Sequence, residues 1–339
     1  MTSVLVVGDI NADIMAPVHA YPSKGGESIS RRSELHAGGS AANTAIVLAK
    51  FGIDVALLGR VGTDPLADLV LTELDRGGVD LTMIQRDPHV LTGTMFIPVT
   101  PDGEHTIFGD RGANVNLDQP SLPDLDGLDV RWMHISGYTL LEDPQRKTVL
   151  QVLKDAVRRD VRVSLDVGLW AAYKARDEIR RLLRQVDVLF PNLEEARVIS
   201  GRTGIEEVIE SLLVEGVDIV VLKLGADGCV VADRTKSSRV SSFNIDVVDT
   251  TGAGDSFDAG FILGRLWQLG PRESALLANA LGGLACAHLG AGEHLPAPKE
   301  TRELLRRSLV DPSWRNWERE LGSVLKVLDR ATRQTKPEP

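Results

Sequence analysis

Asp249 to Phe261 reads DTTGAGDSFDAGF, and the rest of the chain is best read outward from it. Gly252, Ala253 and Gly254 precede an acid, Asp255, and then a helix-compatible apolar run. Bare backbone N–H groups at a helix N-terminus carry partial positive charge and hold anions such as a transferring phosphate. A carboxylate beside that anion has an electrostatic reason to be there only if it accepts a proton. An anion cradle with an adjacent base is the minimum equipment for moving a phosphoryl group onto a hydroxyl. A bare Gly-Ala-Gly is more often a tight turn, so the reading rests on the complete string.

The composition bounds the answer. The chain has 339 residues, a length α/β folds reach as one unit, with 43 % hydrophobic and 25 % charged residues. Its formal net charge of −10 argues against non-specific nucleic-acid or anionic-membrane binding, so neither partner is expected. Cys229 and Cys286 lie in apolar runs and read as thiols rather than a disulfide or metal pair. The histidines show no zinc spacing. The first strand-like run, Val4–Val7, lacks the basic start and long apolar core of a signal peptide, and no apolar run approaches a membrane span. A cytoplasmic protein is expected.

Short β-branched runs alternate with helix-period segments. Strands are expected at Val4–Val7, Val55–Leu58, Trp132–Ser136, Val161–Asp166, Val186–Phe190 and Ile219–Leu224. Helices are expected at Ala41–Phe51, Pro65–Arg76, Pro144–Arg159, Glu194–Ser200 and Ile205–Glu215, with two more between Ala253 and His288 split at Gly270-Pro271. This is the pattern of a doubly wound, mostly parallel α/β sheet, whose ligands sit beyond the carboxyl ends of its strands. Asp13–His36 and Gly93–Asp110 break the alternation. Thr94–Thr100 and Thr106–Phe108, joined through Pro101-Asp102-Gly103-Glu104, read as a hairpin, and the two regions together as a small antiparallel lid. Beyond residue 298, Leu321, Val324, Leu325 and Leu328 at helical spacing predict a helix on the body or on a partner subunit, then a disordered tail.

Two further clusters carry chemistry. Asn11 and Asp13 follow the first strand two residues apart, so in extended backbone they point the same way, fit for neighbouring sugar hydroxyls or for a turn. Gly38 and Gly39 precede a small-residue helix whose first turn holds Asn43, suited to close ligand approach or to tight helix packing.

The full string matches every fixed position of D-T-x-G-A-G-D, and so resembles the C-terminal signature of the ribokinase-like (PfkB) carbohydrate kinases. The Ala37–Ala45 element, with Gly52 and Gly62, resembles that family's N-terminal signature. The resemblance covers roughly residues 3 to 298 and implies a ribokinase-like kinase domain over 1–298, followed by a helical extension over 299–339. It implies an ATP-dependent phosphotransferase in which Asp255 is the general base, and Gly252, Ala253 and Gly254 offer N–H groups to the phosphoryl oxygens. Asn11, Asp13, Gly38, Gly39 and Asn43 would bind sugar hydroxyls. Asn192 and Glu195 resemble the family's N-x-x-E element, which arranges Mg²⁺ and its waters; a helix N-cap with first-turn acids is the plainer reading.

Lys223, Gly225 and Gly228 resemble the nucleotide loop, where Lys223 reaches the phosphates or simply solvates a strand end. Asn279 falls at the adenine pocket, and Asp249 and Thr251 at a monovalent-cation (K⁺) site of some members. Arg111 is aimed either at a substrate carboxylate or phosphate, or at a structural Asp. Ser40 stands where a ribokinase carries Lys, and His134–Tyr138 lacks the acid of a ribose site, so a small sugar or sugar acid other than ribose is expected. A nucleoside kinase, with Phe96, Phe108 and Tyr138 as a base slot, is the alternative; a non-catalytic sugar sensor is a third. An uncovered lid has exposed strand edges, which points to a homodimer through the lid.

Overall fold

A computed structural model describes residues 3–101, 106–119 and 129–334. The first half runs β1 (Val4–Val7), β2 (Asn11–Pro17), β3 (Glu34–Gly38), α1 (Ser40–Lys50), β4 (Val55–Gly62), α2 (Pro65–Arg76), β5 (Ile84–Asp87), β6 (Gly93–Val99), β7 (Phe108–Asp110) and β8 (Trp132–Ser136). It continues with α3 (Gln145–Arg158), β9 (Arg162–Asp166), α4 (Leu169–Lys174), α5 (Arg176–Leu182), β10 (Val188–Phe190), α6 (Leu193–Ser200), α7 (Ile205–Glu215) and β11 (Ile219–Lys223). The last elements are β12 (Cys229–Ala232), β13 (Ser237–Val240), α8 (Ala253–Leu266), α9 (Pro271–Ala285), α10 (Pro298–Val310) and α11 (Glu318–Gln334).

Nine strands form the large sheet in the order β13-β12-β11-β10-β9-β8-β1-β4-β5. All neighbours from β11 to β5 pair in parallel, while β12 and β13 add an antiparallel edge. Alternate strand residues face opposite layers, as the period of two requires. Val4, Val6, Val55, Leu57, Phe190 and Val221 pack under α1, α2, α8 and α9. Leu5, Val7, Ala56, Leu58, Leu165 and Leu222 pack under α3 to α7. The strands are therefore buried on both faces, which is why they read as continuous apolar runs.

The helix boundaries follow their caps. Asp64 accepts from the N–H groups of Leu66 and Ala67, and Pro65 opens α2 without a donor to satisfy. A reciprocal box between Asn192 and Glu195 starts α6.

A second, four-stranded sheet runs β3-β2-β6-β7. The β6–β7 pair is antiparallel, as the hairpin reading expects, although residues 102–105 of its turn lie outside the described residues. The expectation of a small antiparallel lid holds for the β2–β3 and β6–β7 pairs and is corrected at β2–β6, which pair in parallel, because both leave the same edge of the large sheet and run outward together. β5, β12 and β13 are strands the sequence reading did not anticipate.

Leu321, Val324 and Leu328 of α11 join the core beneath α9, so the C-terminal helix packs on the body; the expected tail at 335–339 lies outside the described residues. Among the described residues no helix is long and apolar enough to cross a membrane. Cys229 is a buried free thiol and Cys286 a half-buried one.

Candidate active site

The carboxyl ends of β1, β8, β9, β10 and β11 converge on the N-terminus of α8. Gly252 caps that helix at φ +73°, a left-handed conformation that favours glycine. The Ser256 N–H donates to the Gly252 carbonyl at 2.9 Å and closes the first turn. The Ala253 N–H is held within the turn, donating to Thr250 O at 3.2 Å.

Asp255 is the third residue of α8, and its Oδ2 accepts from Asn43 Nδ2 at 2.8 Å. Thr44 Oγ1 donates to the Asp255 carbonyl at 3.4 Å, so the first turns of α1 and α8 lock together. Burial, and then the neighbouring Asp166, push the Asp255 carboxyl up to about 6; the Asn43 and Ser40 side chains and Lys223 restrain the rise. A base in that range is ionised at neutral pH yet basic enough to take a proton from an attacking hydroxyl.

Around Asp255 lies a charge cluster only part of which the sequence announced. Lys223 Nζ donates to Asp166 Oδ1 at 2.8 Å and to the two oxygens of Asp258 at 3.2 and 3.4 Å. It also lies 3.6 Å from where a Cβ on Gly254 would stand, beside the anion cradle. Burial alone would raise the Asp166 carboxyl, but Lys223 holds it below its usual range. Asp258 is 0 % exposed and well above the ordinary carboxylate value, chiefly through burial, because its lysine is shared with an ionised Asp166. Asp166 and Asp258 escaped the sequence reading. Their signals were present: Asp166 ends a strand at the ligand edge, and Asp258 falls one turn beyond Asp255 on the same helix face.

Glu195 is buried, and its carboxylate accepts from Asn192 N and Asn192 Nδ2, both at 2.8 Å. The plain capping reading is thus realised, and burial followed by the charge of Asp166 pushes Glu195 up to about 7. Gly225 and Gly228 flank the 3₁₀ turn after β11, and a Cβ on Gly225 would meet open space. Asn279 is buried on α9; its amide donates to Val240 O and Ser241 O, both at 3.1 Å, tying α9 to the end of β13. Asp249 Oδ1 accepts from Thr251 N and Oγ1, and its Oδ2 from the Gly290 N–H at 2.9 Å, stapling the loop ahead of Gly252 to the segment after α9.

On the acceptor side, β2 carries Asn11 and Asp13. Asn11 Oδ1 accepts from Asn114 Nδ2 at 2.9 Å, a partner that also bonds both sides of the Ile10 backbone. Asp13 is 6 % exposed, and burial, then Asp255 and Glu73, push it up to about 8. Gly38 stands opposite, where a Cβ would lie 2.0 Å from Asp13 Oδ2, so close approach requires glycine. Gly39 caps α1, four residues before Asn43. Arg111 takes the structural alternative: it grips both Asp9 oxygens at 2.9 and 3.0 Å and donates to Gln145 at 2.6 Å and Tyr138 O at 3.0 Å. The structure therefore brings Asp13, Asn43, Asp255, Lys223, Asn192 and Glu195 to one edge, with Arg111 bracing its wall.

Comparison with known proteins identifies the family. A family model described as pfkB family carbohydrate kinase matches residues 1–298. An ATP-dependent ribose-1-phosphate kinase of Halopiger xanaduensis is 33 % identical over 293 residues, covering 86 % of this chain and 94 % of the relative. A ribokinase of Haemophilus influenzae is 29 % identical over 316 residues, covering 89 % and 98 %. Among solved structures, the ribokinase of Thermotoga maritima matches with a TM-score of 0.78 at 26 % identity, over 90 % of this chain and 100 % of that one. A putative ribokinase II of E. coli in complex with ATP and Mg²⁺ has a TM-score of 0.82 at 23 % identity over 91 % and 100 %, a likeness of fold. The match spans the whole ligand edge, from Asn11 through the turn at Gly252 to the loop before α10: the chain belongs to the pfkB family of carbohydrate kinases and is an ATP-dependent carbohydrate kinase.

Proposed function

We propose that the chain transfers the γ-phosphoryl group of ATP to a hydroxyl of a small sugar or sugar acid. One observation carries the sugar reading. Asp13 Oδ1 and Asn43 Oδ1 are buried and have no hydrogen-bond partner among the described residues, although both belong to groups that face Asp255. Buried acceptors left unpaired are costly, and the hydroxyl donors of a polyol would satisfy them. With its hydroxyls on Asp13 and Asn43, the acceptor would present one hydroxyl to Asp255. Asp255 takes its proton while the Gly252 and Gly254 amides and Lys223 receive the charge developing on the phosphoryl oxygens. The small sheet would close over the reactants and exclude water, which otherwise competes as acceptor.

The site also fits Mg²⁺ with ATP. Asp166, Glu195, Asp255 and Asp258 crowd around Lys223, and the raised values of Glu195, Asp255 and Asp258 signal negative charge that a divalent ion would relieve. Mg²⁺ would neutralise and orient the phosphates; Glu195, both of whose oxygens already accept from Asn192, suits contact through water. Gly225 and Gly228 would admit the nucleotide, with Asn279 behind the adenine. The backbone around Asp249 and Thr251 is assigned to a monovalent cation such as K⁺.

A nucleoside acceptor is disfavoured. Phe96 and Phe108 pair across β6 and β7 in register with Ile14, on the face of the small sheet opposite Asp13. Both rings are exposed there, beside Ile107, which suits dimerisation through the lid instead.

A coupled assay of ADP release over ribose, fructose, 2-keto-3-deoxygluconate, ribose 1-phosphate, adenosine, inosine and cytidine tests the reading. Turnover of a sugar or sugar acid at least about tenfold above every nucleoside in kcat/KM is expected. Preference for a nucleoside, or no turnover with any of them, contradicts it.

A further inference from the structure

We propose that Glu34, His36 and His294 form a binding site for a divalent transition-metal ion of zinc's type, which clips the small sheet to the segment between α9 and α10. This site lies apart from the charge cluster around Lys223. Glu34 and His36 sit two residues apart on β3 and therefore share a face, the one that also carries Asp13 and Met15 through the β2–β3 pairing. His294 ends the 3₁₀ turn Gly292–His294, and its segment lies across that face.

The donor atoms of the three side chains lie within 4.8 Å of one another. His36 Nε2 and Glu34 Oε2 are 3.3 Å apart, the spacing of two ligands on a tetrahedral ion with bonds of about 2.0–2.1 Å. The His36 and His294 rings meet edge to face at 5.5 Å between centroids, and exposed His288 stacks on His294 at 6.1 Å. Three of the chain's seven histidines thus gather at one point from segments far apart in sequence. Water would complete four-coordination.

The surroundings suit a metal more than a bare hydrogen-bonded pair. Arg32 holds Glu34 Oε1 at 2.9 Å, which leaves Oε2 turned toward His36. His36 is buried, Glu34 and His294 are half-buried, and His288 opens to solvent, so an entry path exists. Imidazole and a single carboxylate select zinc-type ions over Mg²⁺, which prefers an all-oxygen shell.

The clip would have a mechanical consequence. β3 runs directly into Gly38 and Gly39, and the segment carrying His294 is tied by the Gly290 N–H to Asp249, ahead of the Gly252 turn. Bound metal would join the acceptor-binding strand to the phosphate-binding turn.

The test uses full-length protein stripped with chelator, then dialysed against Zn²⁺ with Mg²⁺ in excess. One zinc per chain is expected, together with a rise in melting temperature on loading. His294→Ala should weaken binding by about 100-fold, whereas His89→Ala, at an exposed and distant histidine, should not. Less than half an equivalent of zinc, or equal affinity in His294→Ala, overturns the proposal. If His294→Ala lowers the metal-free melting temperature, Glu34→Gln at a half-buried carboxylate carries the test, and unchanged affinity there overturns it. Co²⁺ gives an independent readout: a four-coordinate visible absorption that survives in Glu34→Gln and His294→Ala places the ion elsewhere.

Discussion

Replacing Asp13 by Asn should make the protein more stable and less active, and the gain should depend on pH in a calculable way. Burial, with the charges of Asp255 and Glu73, raises Asp13 from 3.8 to about 8. In the folded chain the carboxyl therefore holds its proton over a range where the unfolded chain has lost it. Its contribution to stability is complete below the ordinary carboxylate value and is lost progressively as pH rises from about 4 to 8. At pH 7 the deficit is about three pH units, or at most about 4 kcal/mol at 1.36 kcal/mol per unit.

Asparagine removes that deficit but brings an amide donor that lacks an assured partner, at about 1–3 kcal/mol. A net gain of about 1–3 kcal/mol, a few degrees in Tm for a chain this long, is expected at pH 7–8, crossing zero between about pH 4.5 and 6 and becoming a net loss near pH 4. Melting of both proteins across pH 4–9 measures it, with sugar KM determined in parallel. A variant less stable at pH 8, or a difference in Tm that does not change with pH, refutes the idea that Asp13 is a buried carboxyl kept for its ligand at a cost in stability.

Other perturbations probe neighbouring parts. Lys223→Met strands Asp166 and Asp258 without their cation and should cost about 3–5 kcal/mol in urea unfolding; adding Asp258→Asn should restore part of it, and a further loss would contradict the pairing. Gly38→Ala places a methyl group where Asp13 Oδ2 stands and should raise KM for the sugar at least about tenfold while leaving KM for ATP near its starting value; equal effects on both would place Gly38 outside the acceptor site. The acid limb of kcat/KM should fall about tenfold per pH unit below a midpoint near 6, the value burial and Asp166 set for Asp255, and a midpoint above 7 would exclude that assignment.

What was legible in the sequence was what local chemistry decides. α2 and α7 begin and end where the sequence reading puts them, α2 because Asp64 and Pro65 mark its start and α7 because Gly204 and Gly216 bracket it. The parallel strands buried on both faces were read within a residue or two at most ends, because their apolar runs are continuous; the buried antiparallel strand β12 was missed. β5 and β13 were missed as well, since Ile84-Gln85-Arg86-Asp87 and Ser237–Val240 are polar edge strands with little apolar signal. The parallel pairing of β2 with β6 depends on how two distant segments leave the large sheet, which no local pattern encodes.

The site shows the same division. Asp255 and its glycines announce themselves in one string. Asp166 matters because Lys223, 57 residues on, reaches back to it, and Arg111 finds Asp9 across 102 residues. The gathering of His36 with His294 likewise exists only in the folded chain.

The central claim is that Asp255 removes the proton from the acceptor hydroxyl. Single-turnover phosphoryl transfer by Asp255→Asn, measured beside sugar binding by calorimetry, tests it most directly. Transfer slowed by about 10²–10⁴-fold, with sugar affinity within a few-fold of the parent, is the expected result. Near-normal transfer by the variant would contradict the account.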